Sequence, residues 1–415
     1  MRILWTVNTL MPEVASALGQ KSSHAISWVD AMSNRLRFRP EIELAIAAPG
    51  RVDSLYSKKI NNIKYFVFPD NDKDCWYDIL SLYNPDIIHA YGTEKAHNLS
   101  LVKKYKQIPI LVSLQGILSE YQHHYYAGIE HSTMLRYISL KSLFLKDGFF
   151  SGKRDFAHRS LLEKQIFKEA MYVEGRSTWD RVSALNINPH LKYFYCPRMI
   201  RSPFYKTKWD AECMEPHSVF VHQGNYPIKG LHFVFEAIAK LKKKFPDIKL
   251  YIAGNGYFEP KTIKQHILQN GYIKYLNHLR KSLCICDNIV FTGYLTAEAL
   301  AEKLSKVNVV VIPSSIENAP NSLAEAELVG TPCIASFVGG NMDMLTHEHD
   351  GYLYCYNEPN MLAEYISRIF TSKEQAMRLS ENARATSRLR HDPEKLENQL
   401  LTIYKEIINN YECKK

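Results

Sequence analysis

The first half of the chain alternates short apolar runs with longer amphipathic segments. Each run ends near Gly, Pro, Asn or Asp, which is typical of a buried strand. Near-continuous apolar strands with helical segments between them favour a parallel sheet covered by helices on both faces, so the pattern predicts a doubly wound α/β domain. Residues 117–156 break this rhythm with a stretch rich in Tyr, His, Phe and Lys. The runs are RILWTVN, IELAIAAP, IKYFVFP, DIIHAYG, IPILVSLQG, MYVEG and KYFYC.

A second alternating series predicts another doubly wound sheet. Its strands are SVFVHQGN, IKLYIAGNG, NIVFTGY, VNVVVIPS, TPCIASF and GYLYC, with helices over 230–244, 260–283, 297–305 and 322–329. Residues 201–216 hold Pro203 and Pro216 and are interpreted as the interdomain linker. The last part is predicted to be helical over 360–370, 372–389 and 393–411. Pro393 should break or kink this stretch, because proline disfavours helical conformation in the residue before it.

Composition changes this picture only in part. A chain of 415 residues with 46% hydrophobic and 23% charged residues is expected to form two globular domains rather than a disordered chain. The formal net charge of +9 suits an anionic partner, either phosphates on a small molecule, a membrane surface or nucleic acid. No recognisable nucleic-acid-binding module accompanies the charge, so nucleic acid is not expected as a partner.

Cysteine usage and the first residues indicate a cytoplasmic protein. The eight cysteines form no C-x-x-C pair, so a zinc site is not expected, and scattered free thiols fit a reducing compartment. The start MRILWTVN reads as a strand rather than a signal peptide. No run reaches the roughly 18 apolar residues that a transmembrane helix needs. We therefore expect a soluble or peripheral protein, without a metal site.

The loop after VNVVVIPS carries the richest set of polar residues. A helix is predicted to begin near Asn321 or Ser322, and its first N–H groups and positive dipole end suit a diphosphate. Glu317 lies before the helix start and Glu325 about one turn inside it. Two carboxylates so placed can hold hydroxyls on either side of a diphosphate. The alternative is a loop carboxylate at Glu317 and a solvated helix residue at Glu325.

The stretch from Gln223 to Gly230 also follows a strand and precedes a helix. Gly224 lets the backbone approach a phosphate closely, and Lys229 supplies a point charge. A charge-assisted hydrogen bond is worth roughly 1.5–3 kcal/mol, against ~0.3–1 kcal/mol for a helix dipole. Lys229 is therefore expected to contribute most to phosphate affinity here. The alternative is an ordinary glycine turn.

Two further strands end in glycine turns. Gly254 and Gly256 match part of a dinucleotide fingerprint, but a third glycine and a later ribose-binding acid are out of register, so a tight strand-to-helix turn is preferred to an NAD site. Tyr294 follows another such turn and could lie near a base. In the first half, Gly19 and Gln115 lie in loops after strands. Hydrolase and metalloprotease signatures do not occur.

These loops occur in the order GNYPIKG, AGNG, FTGYL, SSIENAPNSLAEAELVGTPCIAS, GGNMD and DGYLY. The ordered set resembles glycosyltransferase family 4, whose members are retaining enzymes of the GT-B fold. The resemblance is strong over about residues 215–360 and loose in the first half, and the E-x7-E element from Glu317 to Glu325 is its most specific part. It implies an α/β protein of two Rossmann-like doubly wound domains that face a central cleft.

The resemblance also implies a different role for each of three parts of the chain. Residues 1–205 would form the acceptor-side domain, residues 206–392 the nucleotide-sugar donor domain, and residues 393–415 a C-terminal helix returning to the first domain. Glu317 would contact sugar hydroxyls and Lys229 the diphosphate. The proposed donor contacts otherwise comprise Glu325 at the ribose, the backbone of Asn321 and Ser322 at the diphosphate, Gly19 from the other domain, and the loop residues Gly224, Asn225, Gly254, Gly256 and Tyr294.

Three positions depart from the family pattern. Asn225 stands where the family usually has an arginine, Asp343 where it has a glutamate, and Gln115 where a histidine often lies in the catalytic region. One cation fewer should weaken phosphate binding unless another basic residue substitutes. Gln115 cannot act as a base, but it could hydrogen-bond the sugar or the acceptor.

The implied activity is metal-independent transfer of a hexosyl group with retention of configuration. The donor would be a UDP- or GDP-linked sugar, which is a substrate, and no cofactor is expected. The acceptor would be a glycan or a lipid-linked molecule, in cell-surface polysaccharide biosynthesis. The alternative is a non-catalytic subunit that binds a nucleotide-sugar on the same fold.

Residues 135–146 mix apolar, aromatic and basic side chains, and Lys153, Arg154 and Arg159 follow. Such a segment could lie on an anionic membrane surface, at the inner face of the cell membrane, which would suit a lipid-linked acceptor. The alternative is a core helix with a basic solvated face.

Overall fold

The computed structural model describes residues 1–21, 27–72, 74–138, 148–254, 258–260, 262–263, 265 and 269–413. The chain divides into two compact units. Unit 1 comprises Met1–Ser119, His158–Arg201 and His391–Lys415, and unit 2 comprises Glu120–Ala157 and Ser202–Arg390.

Unit 1 is built on an eight-stranded sheet in the order β3-β4-β2-β1-β5-β6-β7-β8. Seven strands run parallel, as their apolar patterns predicted, and β3 alone among these strands is antiparallel to its neighbour β4. The strands are β1 (Arg2–Thr6), β2 (Glu43–Gly50), β3 (Tyr56–Ile60), β4 (Ile63–Pro69), β5 (Ile87–Tyr91), β6 (Ile110–Ser113), β7 (Tyr172–Gly175) and β8 (Lys192–Tyr195).

Strand β3 was missed by the sequence pattern. Its sequence YSKKI has no continuous apolar run, because it lies at the sheet edge with Ser57, Lys58 and Lys59 exposed. The turn to β4 is Asn61-Asn62, with φ of 46° and 67°. Two positive φ values are what a two-residue hairpin turn requires. The signal for this hairpin was therefore the asparagine pair between Ile60 and Ile63, rather than hydrophobicity.

Helices cover both faces of this sheet, as its two separate cores show. Trp5 packs into one cluster and Leu4 into the other, because successive side chains of a strand point to opposite faces. The helices in unit 1 are α1 (Pro12–Ala17), α2 (Ser27–Leu36), α3 (Trp76–Tyr83), α4 (Ala96–Lys104), α5 (Leu118–Tyr121, with its last two residues in unit 2), α7 (Phe149–Glu169, from His158 onward), α8 (Thr178–Ile187) and α17 (Pro393–Glu412).

Unit 2 holds a six-stranded parallel sheet in the order β11-β10-β9-β12-β13-β14. This confirms the second doubly wound series. Its strands are β9 (Glu215–Val221), β10 (Lys249–Ala253), β11 (Ile289–Gly293), β12 (Val307–Ile312), β13 (Cys333–Ser336) and β14 (Tyr352–Tyr354). Its further helices are α6 (His131–Arg136), α9 (Ser202–Lys206), α10 (Leu231–Leu241), α11 (Gly271–Ser282), α12 (Ala297–Lys306), α13 (Asn321–Val329), α14 (Asn341–Met344), α15 (Pro359–Thr371) and α16 (Lys373–Arg390).

The segment 120–157 belongs to unit 2, although the sequence pattern placed it in the first domain. His232 of α10 lies 3.0 Å from the carbonyl oxygen of Ala127 and 3.0 Å from the hydroxyl of Tyr272. A carbonyl can only accept, so Nε2 of His232 donates to Ala127 and Nδ1 accepts from Tyr272. Ser315 Oγ also donates to the carbonyl of His124 at 3.0 Å. The contacts of His232 with Ala127 and of Ser315 with His124 join residues 105 and 191 positions apart, which local patterning cannot reveal.

The predicted linker and helix break both correspond to defined structure. Trp209, within the predicted linker, is buried in unit 2 and donates from Nε1 to Val307 O at 2.7 Å. The division between the units falls just before it, between Arg201 and Ser202. Helix α16 ends at Arg390, and Asp392 caps α17 by accepting from Lys395 N at 2.9 Å.

Part of the segment proposed to meet a membrane lies outside the described residues, namely 139–146. Of the rest, Leu135 and Ile138 are exposed by 61% and 41%. Among the helices described, none is both long and apolar enough to cross a bilayer.

Two buried histidines predict that the fold loses stability in acid. Burial lowers the pKa of His232 to about 4, and burial together with Lys95 lowers the pKa of His97 to about 4. Above about pH 6.5 both histidines are predominantly neutral in the folded chain and in the unfolded chain. As the pH falls from 6.5 towards 4, these histidines become protonated in the unfolded chain but stay neutral in the folded chain. The free energy of unfolding therefore decreases by roughly 3 kcal/mol for each histidine.

Urea unfolding at pH 7 and pH 4.5 measures this effect. We expect His232→Gln, which keeps a donor for Ala127, to reduce the loss of free energy of unfolding between the two pH values. The exposed His190→Gln should leave that loss unchanged. An equal pH dependence in the parent chain and in His232→Gln would contradict the assignment.

Candidate functional site

The carboxyl ends of the unit 2 strands bring several of the predicted residues together. Strand β12 ends at Ile312, a loop of eight residues follows, and α13 begins at Asn321. Pro320 precedes the helix and provides no side-chain cap for its first turn. Helix N-termini of this kind attract anions, because their first N–H groups point outward at the positive end of the dipole.

Lys229 and Glu317 form an ion pair at this loop. The ammonium of Lys229 donates to Glu317 Oε1, which also accepts from Ser314 Oγ at 2.7 Å. The Lys229 and Glu317 side chains are 20% and 9% exposed. Burial alone would lower the pKa of Lys229, but the adjacent Glu317 carboxylate outweighs it and raises that pKa. Lys229 therefore carries a positive charge, and the Glu317 carboxylate fixes the position of its ammonium group.

A glycine is required to bring Lys229 to this position. Lys229 ends a short 3-10 turn, Pro227–Lys229, and Gly230 follows with φ of 65°. A Cβ on Gly230 would lie 2.0 Å from the carbonyl oxygen of Pro313, which is in the β12 loop. Ser315 N donates to Ile228 O at 2.8 Å. The two loops are thus in backbone contact, and any side chain at position 230 would separate them.

The glycine pair after β13 supports Glu317 from another side. Gly340 N donates to the carbonyl oxygen of Glu317 at 3.0 Å. Gly339 has φ of 49°, and a Cβ there would lie 1.9 Å from the same oxygen. These contacts are made by the backbone of Glu317, so they fix the position of the Glu317 backbone from which its side chain extends. Asp343, the departure noted above, lies in α14, and its carbonyl oxygen accepts from Arg390 Nη2 at 3.1 Å.

Glu325 lies in the second turn of α13 and is 6% exposed, which rules out the solvated-helix alternative. Its Oε2 lies 3.7 Å from Nε2 of His222, the first residue after β9. His222 was not among the predicted site residues. The signal for it was present, since a polar ring directly follows the apolar strand SVFV at the edge where ligands bind.

The remaining unit 2 candidates lie at neighbouring strand ends. A Cβ on Gly224 would lie 2.3 Å from Leu231 Cδ2, so this glycine packs the β9 turn against α10. Asn225 is half-buried, and its carbonyl oxygen accepts from Asn270 Nδ2 at 3.3 Å. Gly254 has φ of 95° and donates to Gly293 O at 2.9 Å, while Tyr294 is 48% exposed. Gly256 lies outside the described residues. Ser322 lies in the first turn of α13.

Two predicted residues lie in unit 1. Gln115 follows β6, and its carbonyl oxygen accepts from Arg176 Nη2 at 2.9 Å. Gly19 is exposed, with φ of 63° and no atom within 4 Å of the place where a Cβ would be. Gln115 lies in the loop after β6, as the sequence indicated, whereas Gly19 follows helix α1 rather than strand β1.

Residues 203–386 match the family described as Glycosyl transferases group 1. This match covers most of unit 2, including Lys229, Glu317 and Glu325. A curated relative, N-acetyl-alpha-D-glucosaminyl L-malate synthase of Bacillus anthracis, is 27% identical over 197 residues, which is 47% of each chain. The chain spans 33–47% of the length of the first curated relatives that it matches.

Solved structures resemble the whole chain. Sucrose-phosphate synthase from Thermosynechococcus elongatus has a TM-score of 0.71 at 15% identity, covering 99% of this chain and 100% of its own. HepE from Anabaena, solved with UDP-glucose, has a TM-score of 0.66 at 17% identity, covering 98% of this chain and 100% of its own. Together with the two parallel sheets, these likenesses show the GT-B fold of two Rossmann-like domains.

Proposed function

We propose that the protein is a retaining glycosyltransferase that moves a hexosyl group from a nucleotide-sugar to a glycan or lipid-linked acceptor. The observation that carries this proposal is the meeting of Lys229 and Glu317 at the loop that leads into α13, with Glu325 buried one turn inside the helix. The family match over residues 203–386 and the complex of HepE with UDP-glucose support it. The proposed donor is UDP- or GDP-linked.

The proposed chemistry places the diphosphate between Lys229 and the N-terminus of α13. Charge develops on the leaving diphosphate in the transition state, and fixed cations and N–H groups aimed at that charge lower the barrier. Glu317 would hold the sugar hydroxyls while its carboxylate keeps the Lys229 ammonium in place. Glu325 would accept hydrogen bonds from the ribose hydroxyls. These contacts position the donor without requiring a metal ion.

Retention of configuration follows if the acceptor hydroxyl attacks from the face that the diphosphate leaves. The bond from the sugar carbon to the donor oxygen breaks, the bond to the acceptor oxygen forms, and the acceptor proton passes to a donor phosphate oxygen. No strong protein base is needed in this scheme, which agrees with glutamine rather than histidine at position 115. We place the enzyme in the cytoplasm, where it would act in cell-surface polysaccharide biosynthesis at the anionic inner face of the membrane.

Nucleotide release from a panel of UDP-, GDP- and ADP-sugars, detected by mass spectrometry, tests the proposal. We expect slow hydrolysis of one donor, and a loss of at least about 100-fold in both Glu317→Ala and Glu325→Ala, because each removes a contact to the donor. Glu298→Ala, an exposed glutamate of α12, is the matched control and should keep the parent rate.

The same panel separates the enzyme from a non-catalytic partner subunit. Turnover that is unchanged in Glu317→Ala and Glu325→Ala would refute the assigned site. Tight binding of one nucleotide-sugar without turnover, even with membrane lipid extract as a source of acceptor, would establish the binding subunit instead. Neither binding nor turnover across the panel would reject both.

A further inference from the structure

Glu317 is held by a buried hydroxyl as well as by Lys229. Ser314, which follows β12, donates from Oγ to Glu317 Oε1 at 2.7 Å, and the Lys229 ammonium donates to the same oxygen. An ionised carboxylate can only accept, so the single proton of the Ser314 hydroxyl is directed at Glu317. Oε1 therefore receives both donors, whereas Oε2 accepts no hydrogen bond from the residues that the structure describes.

Ser314 is itself fixed from the neighbouring strand. Strands β12 and β13 are hydrogen-bonded neighbours, so Ser314 and Ser336 meet where these strands end. Ser336 Oγ donates to Ser314 O at 2.5 Å, and Asn341 Nδ2 donates to Ser336 O at 2.9 Å. We call Ser314, Ser336 and Asn341 the buried polar chain, because each is at most 1% exposed. This chain of hydrogen bonds leads from the first residue of α14 to the Glu317 carboxylate.

The second donor restricts the carboxylate more than Lys229 alone can. An ammonium is a compact charge with rotatable donors on a flexible stem, so it can follow either oxygen of Glu317. The terminal torsion of a glutamate is broad, and one mobile donor therefore does not set the plane of the carboxylate. The Ser314 hydroxyl is carried by a short side chain on a buried backbone. It holds Oε1 in place, and the position of Oε2 follows from it.

We propose that Ser314 is a positioning residue, which orients the Glu317 carboxylate so that Oε2 accepts from hydroxyls of the donor sugar. The sugar as the partner of Oε2 rests on the proposed function, whereas the hydrogen bond from Ser314 does not. Ser314 contacts neither the diphosphate nor the nucleoside in this scheme, so its effect is confined to the sugar. Loss of its hydroxyl weakens recognition of the nucleotide-sugar and leaves recognition of the free nucleotide unchanged.

Isothermal titration calorimetry on the full chain compares two ligands. One is the nucleotide-sugar that the donor panel selects, such as UDP-glucose, and the other is the free nucleoside diphosphate of the same base. We expect Ser314→Ala to weaken binding of the nucleotide-sugar about ten-fold, the order expected for one charge-assisted hydrogen bond, and to leave binding of the diphosphate unchanged. A merely structural role would weaken both ligands alike or neither, and either result would overturn the proposal.

Two further variants separate the hydrogen bond from packing. Ser314→Cys fills nearly the same space, but a thiol is a weak donor, so this variant should resemble Ser314→Ala. The matched control is Ser218→Ala, because Ser218 is a fully buried serine of β9 whose Oγ donates to Glu215 O at 2.5 Å. It should lower stability and leave the binding of both ligands unchanged. Parent-like sugar binding in Ser314→Cys would assign the effect to side-chain volume and contradict the proposal.

A double-mutant cycle of urea unfolding tests the hydrogen bond without any ligand. Ser314→Ala should lower the unfolding midpoint in the parent chain, and lower it less in the Glu317→Ala background, where the hydroxyl has lost its acceptor. Equal losses in the two backgrounds would refute the positioning of Glu317 by Ser314. If no nucleotide-sugar binds to the parent chain, the proposed function and the sugar as the partner of Oε2 fail together, and the cycle still decides whether Ser314 holds Glu317.

Discussion

Lys229→Met is expected to lower donor turnover by about 10²–10³-fold, the range found when one preorganised donor to a developing oxyanion is removed. The same substitution should destabilise the fold by up to about 3 kcal/mol, because it leaves the Glu317 carboxylate mostly buried without its cation. Hydrolysis of the preferred nucleotide-sugar and urea unfolding measure the two effects on one preparation. Lys240→Met, at an exposed position of α10, should change neither.

The double variant Lys229→Met/Glu317→Gln separates catalysis from folding. The glutamine keeps an oxygen that can accept from Ser314 and carries no charge, so stability should return towards the parent value. Turnover should stay as low as in Lys229→Met or fall further, since the diphosphate still lacks its cation and the Glu317 carboxylate no longer accepts from the sugar hydroxyls. Recovery of turnover together with stability would mean that Lys229 acts only through the fold.

Gly339→Ala is expected to cost about 3 kcal/mol of stability and to lower turnover about 100-fold. The new Cβ would lie 1.9 Å from the carbonyl oxygen of Glu317, at φ of 49°, so the loops must separate and carry Glu317 with them. A displacement of about 1 Å at a positioning residue can cost 10²-fold in rate. Thermal unfolding and nucleotide release would measure the two effects.

Gly293→Ala is the matched control for this prediction. Gly293 has φ of 70°, but no atom lies within 4 Å of the place where its Cβ would be. The backbone cost alone, about 1–2 kcal/mol, should therefore appear without the loss of turnover. If both alanine variants lost the same activity, the close approach to Glu317 would not be the reason.

The sequence predicted the strands of both sheets because buried parallel strands are continuous apolar runs. It predicted the loop around Glu317 because a strand, a polar loop and a helix start follow one another within a few residues. It missed β3, whose exposed lysines hide an edge strand, and His222, whose partner Glu325 is about a hundred residues away. The placement of residues 120–157 depends on contacts such as His232 with Ala127, which no local pattern encodes.

The last helix, α17, completes the core of unit 1, so unit 1 cannot finish folding before α17 has been synthesised. Tyr404 of α17 accepts from Trp5 Nε1 at 2.9 Å, and its hydroxyl lies 2.6 Å from His89 Nδ1, both within the core of the first sheet. These partners are separated by 399 and 315 positions in sequence. When all strands of the first sheet have been synthesised, Tyr404, which completes the core of that sheet, has not yet been synthesised. Unit 1 should therefore finish folding only once α17 has left the ribosome, whereas the sheet of unit 2 can close earlier in synthesis.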